Sequence, residues 1–364
     1  MISRISQLKK IDWVLCIIVL LLVSVGLLSI YSIGKETGSN IFKRQLIYVI
    51  LGFLLMFILA SFDYRIFRDH NFILLGFYFL SILFLGVILI MGREIRGVSS
   101  WFRVGKFGFE PVELMKLAII LVLAKYFSLR HVEVSRFRHL IISGLYIFVP
   151  LVLLLLQPEL GYILIITLIW LAIIIVAGIK IRHLFILFLI GLIIFSVSWV
   201  YLLKDYQKER AVTFLNPHSD PWGRGYHIIQ SIIAVGSGKF FGRGLGHGTQ
   251  SQLNFLPEQH TDFIFATIAE EWGFLGSFFI LILFGILFFR LIKISLTSFN
   301  NFARLFSIGL VTMISLEVVI NIGMNMGLLP IIGIPLPFIS YGGSSMVMNF
   351  VMLGIIQSIV IRNK

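Results

Sequence analysis

The residue best suited to chemistry in this chain is an aspartate at the start of an apolar segment. Asp262 lies in the run Phe255-Leu-Pro-Glu-Gln-His-Thr-Asp-Phe-Ile-Phe265, before an apolar stretch that continues past Glu270 and Glu271. A carboxylate at the edge of a membrane is costly unless it is paired or lines a wet cavity. In one interpretation Asp262 is a general base. An aspartate that only stabilises a helix N-terminus is the alternative, and the spacing leaves both open.

Three possible metal ligands alternate in the same run. Glu258, His260 and Asp262 would share one side of an extended segment, and ligands of this kind suit Mg²⁺ or Mn²⁺. The pattern is far less specific than a HExxH motif or four cysteines. The sequence therefore allows a divalent cation at Glu258 and Asp262, and it indicates no organic cofactor.

A second polar group opens another apolar segment. Pro111 favours a helix start, and Glu110, Glu113 and Lys116 follow one another at three-residue steps on a slowly drifting helix face. In one interpretation Glu113 and Lys116 form an ordinary ion pair within the helix. In the other, Lys116 binds a substrate phosphate while Glu110 or Glu113 orients it. Glu317, in the middle of a later apolar segment, is predicted to face the bundle interior, either neutral or paired.

Two further regions complete the set of candidate residues. Trp101, in the segment 97–103, is either an aromatic anchor at the membrane surface or a platform that stacks a sugar or lipid headgroup. The run 327–345 breaks a helix with three prolines, and irregular backbone at membrane depth is tolerated only against protein or a wet cavity. It is predicted to form a second loop beside Asp262. Its candidate substrate contacts are Ser340, Tyr341 and Ser344.

These residues must be positioned by membrane-spanning helices. Of the 364 residues, 59% are hydrophobic and 13% are charged, whereas about a quarter are charged in soluble domains. Apolar stretches near the roughly 20 residues that cross a bilayer recur along the chain. They predict a single all-α integral membrane domain over 1–364, with about ten transmembrane helices. The predicted spans are 13–33, 42–60, 72–92, 111–127, 140–156, 159–178, 184–203, 264–290, 303–326 and 341–361.

The charges set the predicted orientation. Both tails and the loops on their side of the membrane hold sixteen lysines and arginines against four acidic residues, so this side is predicted to be cytoplasmic. The net charge of +13 does not indicate a nucleic-acid binder, because the basic residues are scattered over helix ends. Other basic residues suit an anionic substrate on the outer face, or are interfacial side chains. These are Lys43, Arg44, Arg93, Arg96, Arg103, Lys106 and Lys116.

The longest connection, about 204–262, is predicted to be an ordered extracytoplasmic loop between the seventh and eighth spans. A helix over 226–235 would place four isoleucines on one stripe, as in a helix lying on the membrane surface. These are Ile228, Ile229, Ile232 and Ile233. The glycine-rich run 236–248 lacks the context of a phosphate-binding motif and predicts a tight loop. Cys16 is the single cysteine, which excludes an intrachain disulfide.

Four separate motifs occur in one order along the chain. They are Gln157-Pro-Glu-Leu-Gly161, Gly225-Tyr with Gln230-Ser, Gly248-Thr-Gln-Ser-Gln-Leu-Asn-Phe-Leu-Pro-Glu-Gln-His-Thr-Asp-Phe-Ile-Phe265 with Glu270-Glu271, and Gly333-Ile-Pro-Leu-Pro-Phe-Ile-Ser-Tyr-Gly-Gly-Ser-Ser345. Together they resemble the SEDS family (shape, elongation, division and sporulation) over essentially the whole chain. The Gly-Ile-Pro-Leu-Pro and Gly-Thr-Gln-Ser runs look more like the elongation branch than the division branch.

The resemblance implies a ten-helix fold and a glycosyltransferase that polymerises lipid II into peptidoglycan during cell elongation. It places the active site on the outer face of the bacterial cytoplasmic (inner) membrane, and implies a class B penicillin-binding transpeptidase as partner. Asp262 matches the essential aspartate of the family, and Trp101 its loop tryptophan. Lys116 matches the lysine after a Gln-Pro-Ser-Glu motif, and Arg44 and Arg210 match basic residues of the family.

The chain departs from the family in three places. Glu110-Pro-Val-Glu113 stands in place of Gln-Pro-Ser-Glu, Gln157-Pro-Glu-Leu-Gly161 in place of Gln-Pro-Asp-Leu-Gly, and Lys239 in place of a common glycine. Two other functions remain open. A flippase or transporter fits many helices, but the sequence shows no internal repeat and the polar candidates crowd one face. A non-catalytic scaffold for a transpeptidase does not account for Asp262 and its basic surroundings.

Overall fold

The computed structural model describes residues 10–37, 40–91, 102–104, 107–130 and 137–363. Within these ranges the chain forms helices joined by short connections. The helices are α1 (Trp13–Thr37), α2 (Ile41–Ser61), α3 (Arg65–Asp69), α4 (Asn71–Met91), α5 (Pro111–Ser128), α6 (Phe137–Leu156), α7 (Leu160–Ala177), α8 (Ile181–Val197), α9 (Asp205–Leu215), α10 (Arg224–Ser237), α11 (Thr249–Gln252), α12 (Ile264–Thr297), α13 (Asn301–Asn325) and α14 (Gly343–Arg362). In the described ranges the only strands are β1 (Phe102–Val104) and β2 (Phe107–Phe109), an antiparallel hairpin that the sequence did not predict.

The predicted helical membrane architecture is confirmed. Among the described residues, nine helices are long and apolar enough to cross a membrane. The tenth long helix, α5, carries Glu113, Lys116 and Lys125, and almost all of its residues are buried. Protein rather than lipid surrounds α5, so its charged side chains do not meet hydrocarbon.

Burial divides the bundle into a core and a periphery. The most buried spans are α13 and α14, which pack on α12 and α2 respectively, while α5 contacts α4, α7 and α13. By contrast, α8 has no buried residues in its apolar window and exposes Phe185, Phe188 and Ile193. Apolar area of this extent is stable against lipid and costly against water. The chain is therefore a multi-pass membrane protein whose core surrounds α5, α13 and α14.

Several predicted spans differ from the observed helices at their ends. The span predicted over 264–290 continues to Thr297, so residues 291–297 also lie in α12. Gly273 interrupts α12 with φ of 68° and ψ of −160°, values that favour glycine. A side chain at Gly273 would collide with the backbone of Phe240 to Gly242, so this break lets the glycine-rich run pack closely on the helix. The span predicted over 184–203 begins at Ile181 and ends in a π-helical turn, Ser198–Leu202.

The connection 204–262 contains α9, a 3₁₀ turn (Pro217–Ser219), α10 and α11. The predicted helix over 226–235 lies within α10, and the four isoleucines of the predicted stripe differ in burial: Ile228 is buried and Ile229 is partly buried. Ile232 and Ile233 are each 44% exposed. The face that packs on α12 and α13 is formed by three small residues and one isoleucine. That face consists of Gly225, Ile228, Ser231 and Ala234. Small residues bring α10 close to its neighbours, and this proximity decides which side is buried.

Candidate active site

Asp262 lies in a compact turn directly before α12. Residues 257–263 form consecutive turns, and Glu258 has a φ of 46°. The prediction of an extended segment with Glu258, His260 and Asp262 on one side is therefore wrong, because the chain must fold back to enter the helix. The Asp262 carbonyl oxygen accepts hydrogen bonds from Asn321 Nδ2 at 3.0 Å and Asn325 Nδ2 at 2.9 Å. Both asparagines are fully buried on α13, so they fix the main chain of the candidate base.

The proline-rich loop 326–342 packs on the same turn, as the sequence predicts. Ser340 Oγ donates to the Thr261 carbonyl at 2.7 Å, and Tyr341 N donates to the His260 carbonyl at 2.8 Å. A methyl group added to Gly333 would lie 3.4 Å from Asp262 Oδ2. Gly333 has a φ of 78°, so glycine permits both the backbone conformation and the close approach to the carboxylate.

Of the three candidate substrate contacts in this region, the two serines have structural partners. The Ser340 hydroxyl also accepts from Leu336 N at 2.8 Å and is buried. Ser344 Oγ accepts from Glu110 N at 3.0 Å and donates to the Gly108 carbonyl at 3.2 Å, which ties β2 to the start of α14. Tyr341 is partly buried, and its ring meets the His260 ring edge to face at 5.7 Å.

Gln45 on α2 is a positioning residue that sequence reasoning did not identify. Its Nε2 donates to the Ser340 carbonyl at 3.1 Å, and its Oε1 accepts from Gly342 N at 3.3 Å. The preceding residue, Arg44, is partly buried and interacts electrostatically with Tyr48, which interacts in turn with Tyr341. Gln45 follows the selected Arg44 in the sequence, but this adjacency does not indicate its contacts with a loop about 300 residues further along the chain.

Lys116 lies inside the bundle between two carboxylates. Its Nζ donates to Glu113 Oε1 at 2.8 Å and to Glu317 Oε1 at 2.5 Å, and all three side chains are at most 1% exposed. The ammonium also lies 5.4 Å from the centre of the Tyr162 ring. The predicted pair of Glu113 and Lys116 and the predicted pairing of Glu317 are both observed. Here the ammonium faces carboxylates, whereas the sequence prediction directed it to a substrate phosphate.

The carboxyl group of Glu110 is buried close to this ion-paired group. It forms a hydrogen bond with the Tyr162 hydroxyl, and it interacts electrostatically with Glu113, Lys116 and Glu159. Glu110 thus stands at the junction of the hairpin, α5 and α7. Its backbone bond to Ser344 extends the junction to α14.

Two further candidates remain, one on the connection before the Asp262 turn and one outside the described residues. Arg210 is exposed on α9, which packs on α10, and α10 in turn packs on α12 and α13. Trp101 lies outside the described residues, and its role stays a prediction.

The pair Glu270 and Glu271 was noted in the sequence without a role, and the structure assigns it to the glycine-rich run. Glu270 accepts from Gln250 N at 2.8 Å and Ser251 N at 3.0 Å, at the start of α11. Glu271 Oε1 accepts from Ser32 Oγ at 2.5 Å and from Gly246 N at 3.0 Å. A hydrogen bond from a backbone N–H to a carboxylate is stronger than one between two neutral groups. The two glutamates therefore hold the segment that leads into the Asp262 turn.

A cavity of about 230 Å³ lies beside the Asp262 turn, between it and α1 and α2. Ile33 and Ile41 form its apolar side, while Asn254, Glu258 and His260 supply polar groups. Burial lowers the pKa of His260 below its usual value, and the Glu258 carboxylate partly opposes this shift. A neutral imidazole can donate one hydrogen bond and accept another, which suits contacts with sugar hydroxyls.

In the described part of the chain, no group of three His, Cys, Asp or Glu residues is arranged to hold a metal ion. Glu258 Oε2 accepts a hydrogen bond from Thr261 Oγ1 at 3.3 Å. Glu258 and Asp262 provide two carboxylates in one turn. Mg²⁺ is commonly held by one or two carboxylates together with substrate phosphates and water. The described residues form no complete protein cage, and a cation at Glu258 and Asp262 stays a prediction.

The sequence is similar to a known family over nearly its whole length. The sequence model of the FtsW/RodA/SpoVE family, described as cell cycle protein, matches residues 8–364. The chain is 38% identical to stage V sporulation protein E of Bacillus subtilis, with 96% of each chain covered. It is 35% identical to peptidoglycan glycosyltransferase MrdB of Escherichia coli, with 96% of this chain and 93% of that protein covered.

The fold is also similar to solved structures. One neighbour comes from work described as the structural coordination of polymerization and crosslinking by a peptidoglycan synthase complex. It has a TM-score of 0.81 and 34% identity, with 96% of this chain and 97% of that chain covered. The rod shape determining protein RodA of Thermus thermophilus has a TM-score of 0.71 and 29% identity, with 96% of each chain covered.

Proposed function

We propose that this chain polymerises lipid II into β-1,4-linked glycan strands at the Asp262 turn. The chain belongs to the FtsW/RodA/SpoVE family of cell cycle proteins and is a peptidoglycan glycosyltransferase. The main support for this proposal is the position of Asp262. Asn321 and Asn325 fix its main chain where α12, α13 and the loop 326–342 meet. A carboxylate held in a defined position can accept a proton without the cost of first being ordered.

In the proposed reaction, the 4-hydroxyl oxygen of the acceptor sugar attacks the anomeric carbon of the lipid-linked donor. A new glycosidic bond forms as the bond from the anomeric carbon to the pyrophosphate oxygen breaks. The hydroxyl proton passes to Asp262, and the bonding electron pair leaves with undecaprenyl pyrophosphate. Attack opposite the leaving group inverts the anomeric carbon and gives the β-1,4 linkage.

Charge develops on the pyrophosphate as it leaves, so cations near the turn would lower the barrier. We assign this role first to Arg44, whose α2 position adjoins the Gln45 anchor of the loop. Arg210, exposed on α9, is proposed to meet the substrate from the other side of α10. A divalent cation held by Glu258 and Asp262 would supply further positive charge to the phosphates.

For Lys116 we propose a positioning role in this conformation. Its ammonium joins α5 to Glu317 of α13, and Glu317 and Asn321 lie four residues apart on one helix face. Glu113 completes the ion-paired group. The three side chains thereby fix the position of α13, whose asparagines hold Asp262. They are proposed to affect catalysis indirectly, through the position of Asn321.

The remaining candidates are proposed to shape the substrate path. Tyr341 lies against His260, beside the cavity of mixed polarity, and is placed to contact sugar. Trp101 is proposed to stack on a sugar or headgroup. Ser340, Ser344 and Glu110 hold the loop and the hairpin in place through the hydrogen bonds described above.

In the cell, we propose that the chain spans the bacterial cytoplasmic membrane with both termini inside and the Asp262 turn outside. The excess of basic residues near the tails supports this orientation. A class B penicillin-binding transpeptidase is the proposed partner, supported by the resemblance to a chain from a peptidoglycan synthase complex. A role in cell elongation is supported by the Gly-Ile-Pro-Leu-Pro form of the loop that contacts Asp262.

The test is polymerisation of labelled lipid II by the purified chain with a cognate transpeptidase, resolved on a gel. Asp262→Asn keeps the size of the side chain and removes the base, so no strands are expected from it. Asp205→Asn is the control, because Asp205 is exposed on α9 within the same connection. Strands from the Asp262→Asn variant at the wild-type rate would refute the general-base role.

A second arm of the same assay tests the cation. Chelation of divalent ions should stop strand formation, and added Mg²⁺ or Mn²⁺ should restore it. Full activity after chelation would refute the cation proposal and leave the role of Asp262 standing. Folded wild-type protein that forms no strands in either arm would favour lipid flipping or a scaffold role, which a lipid-translocation assay separates.

A further inference from the structure

A second polar cavity lies at the end of the bundle opposite the Asp262 turn. Its volume is about 530 Å³, many times the share of about 30 Å³ that one water takes in the liquid. It lies between the junction of α3 and α4, the C-terminal end of α5 and the N-terminus of α13. Asn301 borders it, whereas Asn325, at the other end of α13, contacts Asp262. A helix of that length separates the two by about 36 Å, so the cavity is distinct from the candidate active site.

Lys125 is the unusual residue of this cavity. The residue is only 6% exposed, and its Nζ has no hydrogen-bond partner among the residues that the structure describes. A buried ammonium without an acceptor is costly. Arg68 also borders the cavity, but it forms a two-point ion pair with Asp69 at 2.7 and 3.3 Å. Asp69 also interacts electrostatically with Lys125, so the three charged residues of the lining together carry a net charge of +1.

Two helix N-termini meet at the same cavity. Asn71 begins α4 and Asn301 begins α13, and both helices exceed twenty residues. The first turn of a helix presents backbone N–H groups and the positive end of the helix dipole, which together favour anions. Two neutral side chains of the lining are already engaged: Ser128 Oγ donates to the Lys125 carbonyl at 2.8 Å, and Asn300 Oδ1 accepts from Ala303 N at 2.8 Å. The candidate donors are therefore Lys125 Nζ and the other backbone N–H groups of the two first turns.

We propose that this cavity binds a phosphate-bearing anion. The phosphate oxygens would accept hydrogen bonds from Lys125 Nζ and from the first turns of α4 and α13. Such an anion supplies the hydrogen-bond acceptor that the Lys125 ammonium lacks. Its several oxygens can accept hydrogen bonds from Lys125 and from both helix N-termini at once. The phosphate belongs either to the headgroup of an anionic lipid or to a soluble phosphate compound, and the site is independent of the proposed glycosyl transfer.

The test measures binding by the full-length purified chain. One arm titrates radiolabelled inorganic phosphate in detergent, and the other titrates fluorescent phosphatidylglycerol into nanodiscs of phosphatidylcholine. Lys125→Gln should raise the half-saturating concentration about tenfold or more, since it removes a charge-assisted hydrogen bond. Lys180→Gln is the matched control, because Lys180 is an exposed basic residue at a helix end outside the cavity. Lys125→Arg keeps the charge and should keep most of the affinity.

The two arms identify the source of the phosphate. Saturable phosphatidylglycerol binding that inorganic phosphate does not displace indicates a lipid headgroup, whereas saturable binding of phosphate in detergent indicates a soluble ligand. If Lys125→Gln does not fold, Asn71→Asp provides a second variant, since it places a negative charge in the lining and should also weaken binding. Equal affinity of wild type and these folded variants, or no saturable binding of either probe to wild type, would overturn the proposal.

Discussion

Asp262 is positioned through its main chain by two asparagines that each make a second connection. Asn321 Nδ2 also donates to the Ile334 carbonyl at 2.7 Å, which links the turn to the proline-rich loop. Asn325 Oδ1 accepts from Ala266 N at 3.1 Å, in the first turn of α12. Neutral side chains suit this task, because an amide both donates to and accepts from the backbone without placing a charge beside the carboxylate.

Replacing Asn321 by alanine should therefore reduce catalysis more than substrate binding. The variant loses the bonds to the Asp262 and Ile334 carbonyls, and small misplacements of a catalytic group can cost up to about a hundredfold in rate. We expect kcat for lipid II polymerisation to fall by about tenfold or more, with a smaller change in KM. Asn216→Ala, at an exposed position of the connection, should behave as wild type. A change confined to KM would contradict the positioning role.

At the scale of helices, the ion-paired group of Glu113, Lys116 and Glu317 joins α5 to α13. Both partner carboxylates keep one oxygen, Oε2, without a hydrogen bond in the described part of the chain. Such groups are costly to break, since the remaining charges stay buried and uncompensated. Their contribution lies in fixing one helix against another more than in net stability.

Lys116→Met should destabilise the folded chain by about 3–5 kcal/mol, because it leaves two carboxylates facing each other in the bundle. Adding Glu113→Gln and Glu317→Gln to the same variant should recover most of this loss. The measurement is the thermal unfolding of the detergent-solubilised protein. Arg290→Met is the comparison, since the pair of Arg290 and Asp12 is more exposed, at 25% and 11%, and its loss should destabilise the chain less. Equal losses in the two single variants would contradict the assignment.

Close helix packing also holds the loop that contacts Asp262. A Cβ added to Gly26 of α1 would collide with the backbone of Ile339, next to Ser340. Gly26→Ala should therefore displace the loop and lower both the melting temperature and the polymerisation rate. Gly76→Ala on α4 is a matched control, because nothing lies within 4 Å of its added Cβ. That variant should be neutral or slightly stabilising, by up to about 1 kcal/mol. Similar effects of the two substitutions would contradict a specific contact.

For the whole molecule, apolar length predicted the ten long helices that the described residues form, because crossing a bilayer imposes a length that can be counted. The association of the Asp262 turn with the proline-rich loop was also predictable, since irregular backbone needs a protein or wet neighbour. The turn conformation at Glu258 and the role of Gln45 were not. Both depend on contacts between segments distant in sequence, which a local pattern does not contain. The face of α10 that packs on α12 and α13 was not predicted for the same reason, because Ser231 and its small neighbours determine the packing distance.

The single cysteine makes the predicted orientation testable in intact cells. Cys16 is buried, so its background reaction with a membrane-impermeant maleimide should be low. Ser219→Cys, on the exposed 3₁₀ turn of the connection 204–262, should react in intact cells because that connection is predicted to face outward. Thr297→Cys, exposed at the other end of α12 from Asp262, should react only after the membrane is permeabilised. The opposite pattern would invert the topology and place the Asp262 turn on the cytoplasmic side.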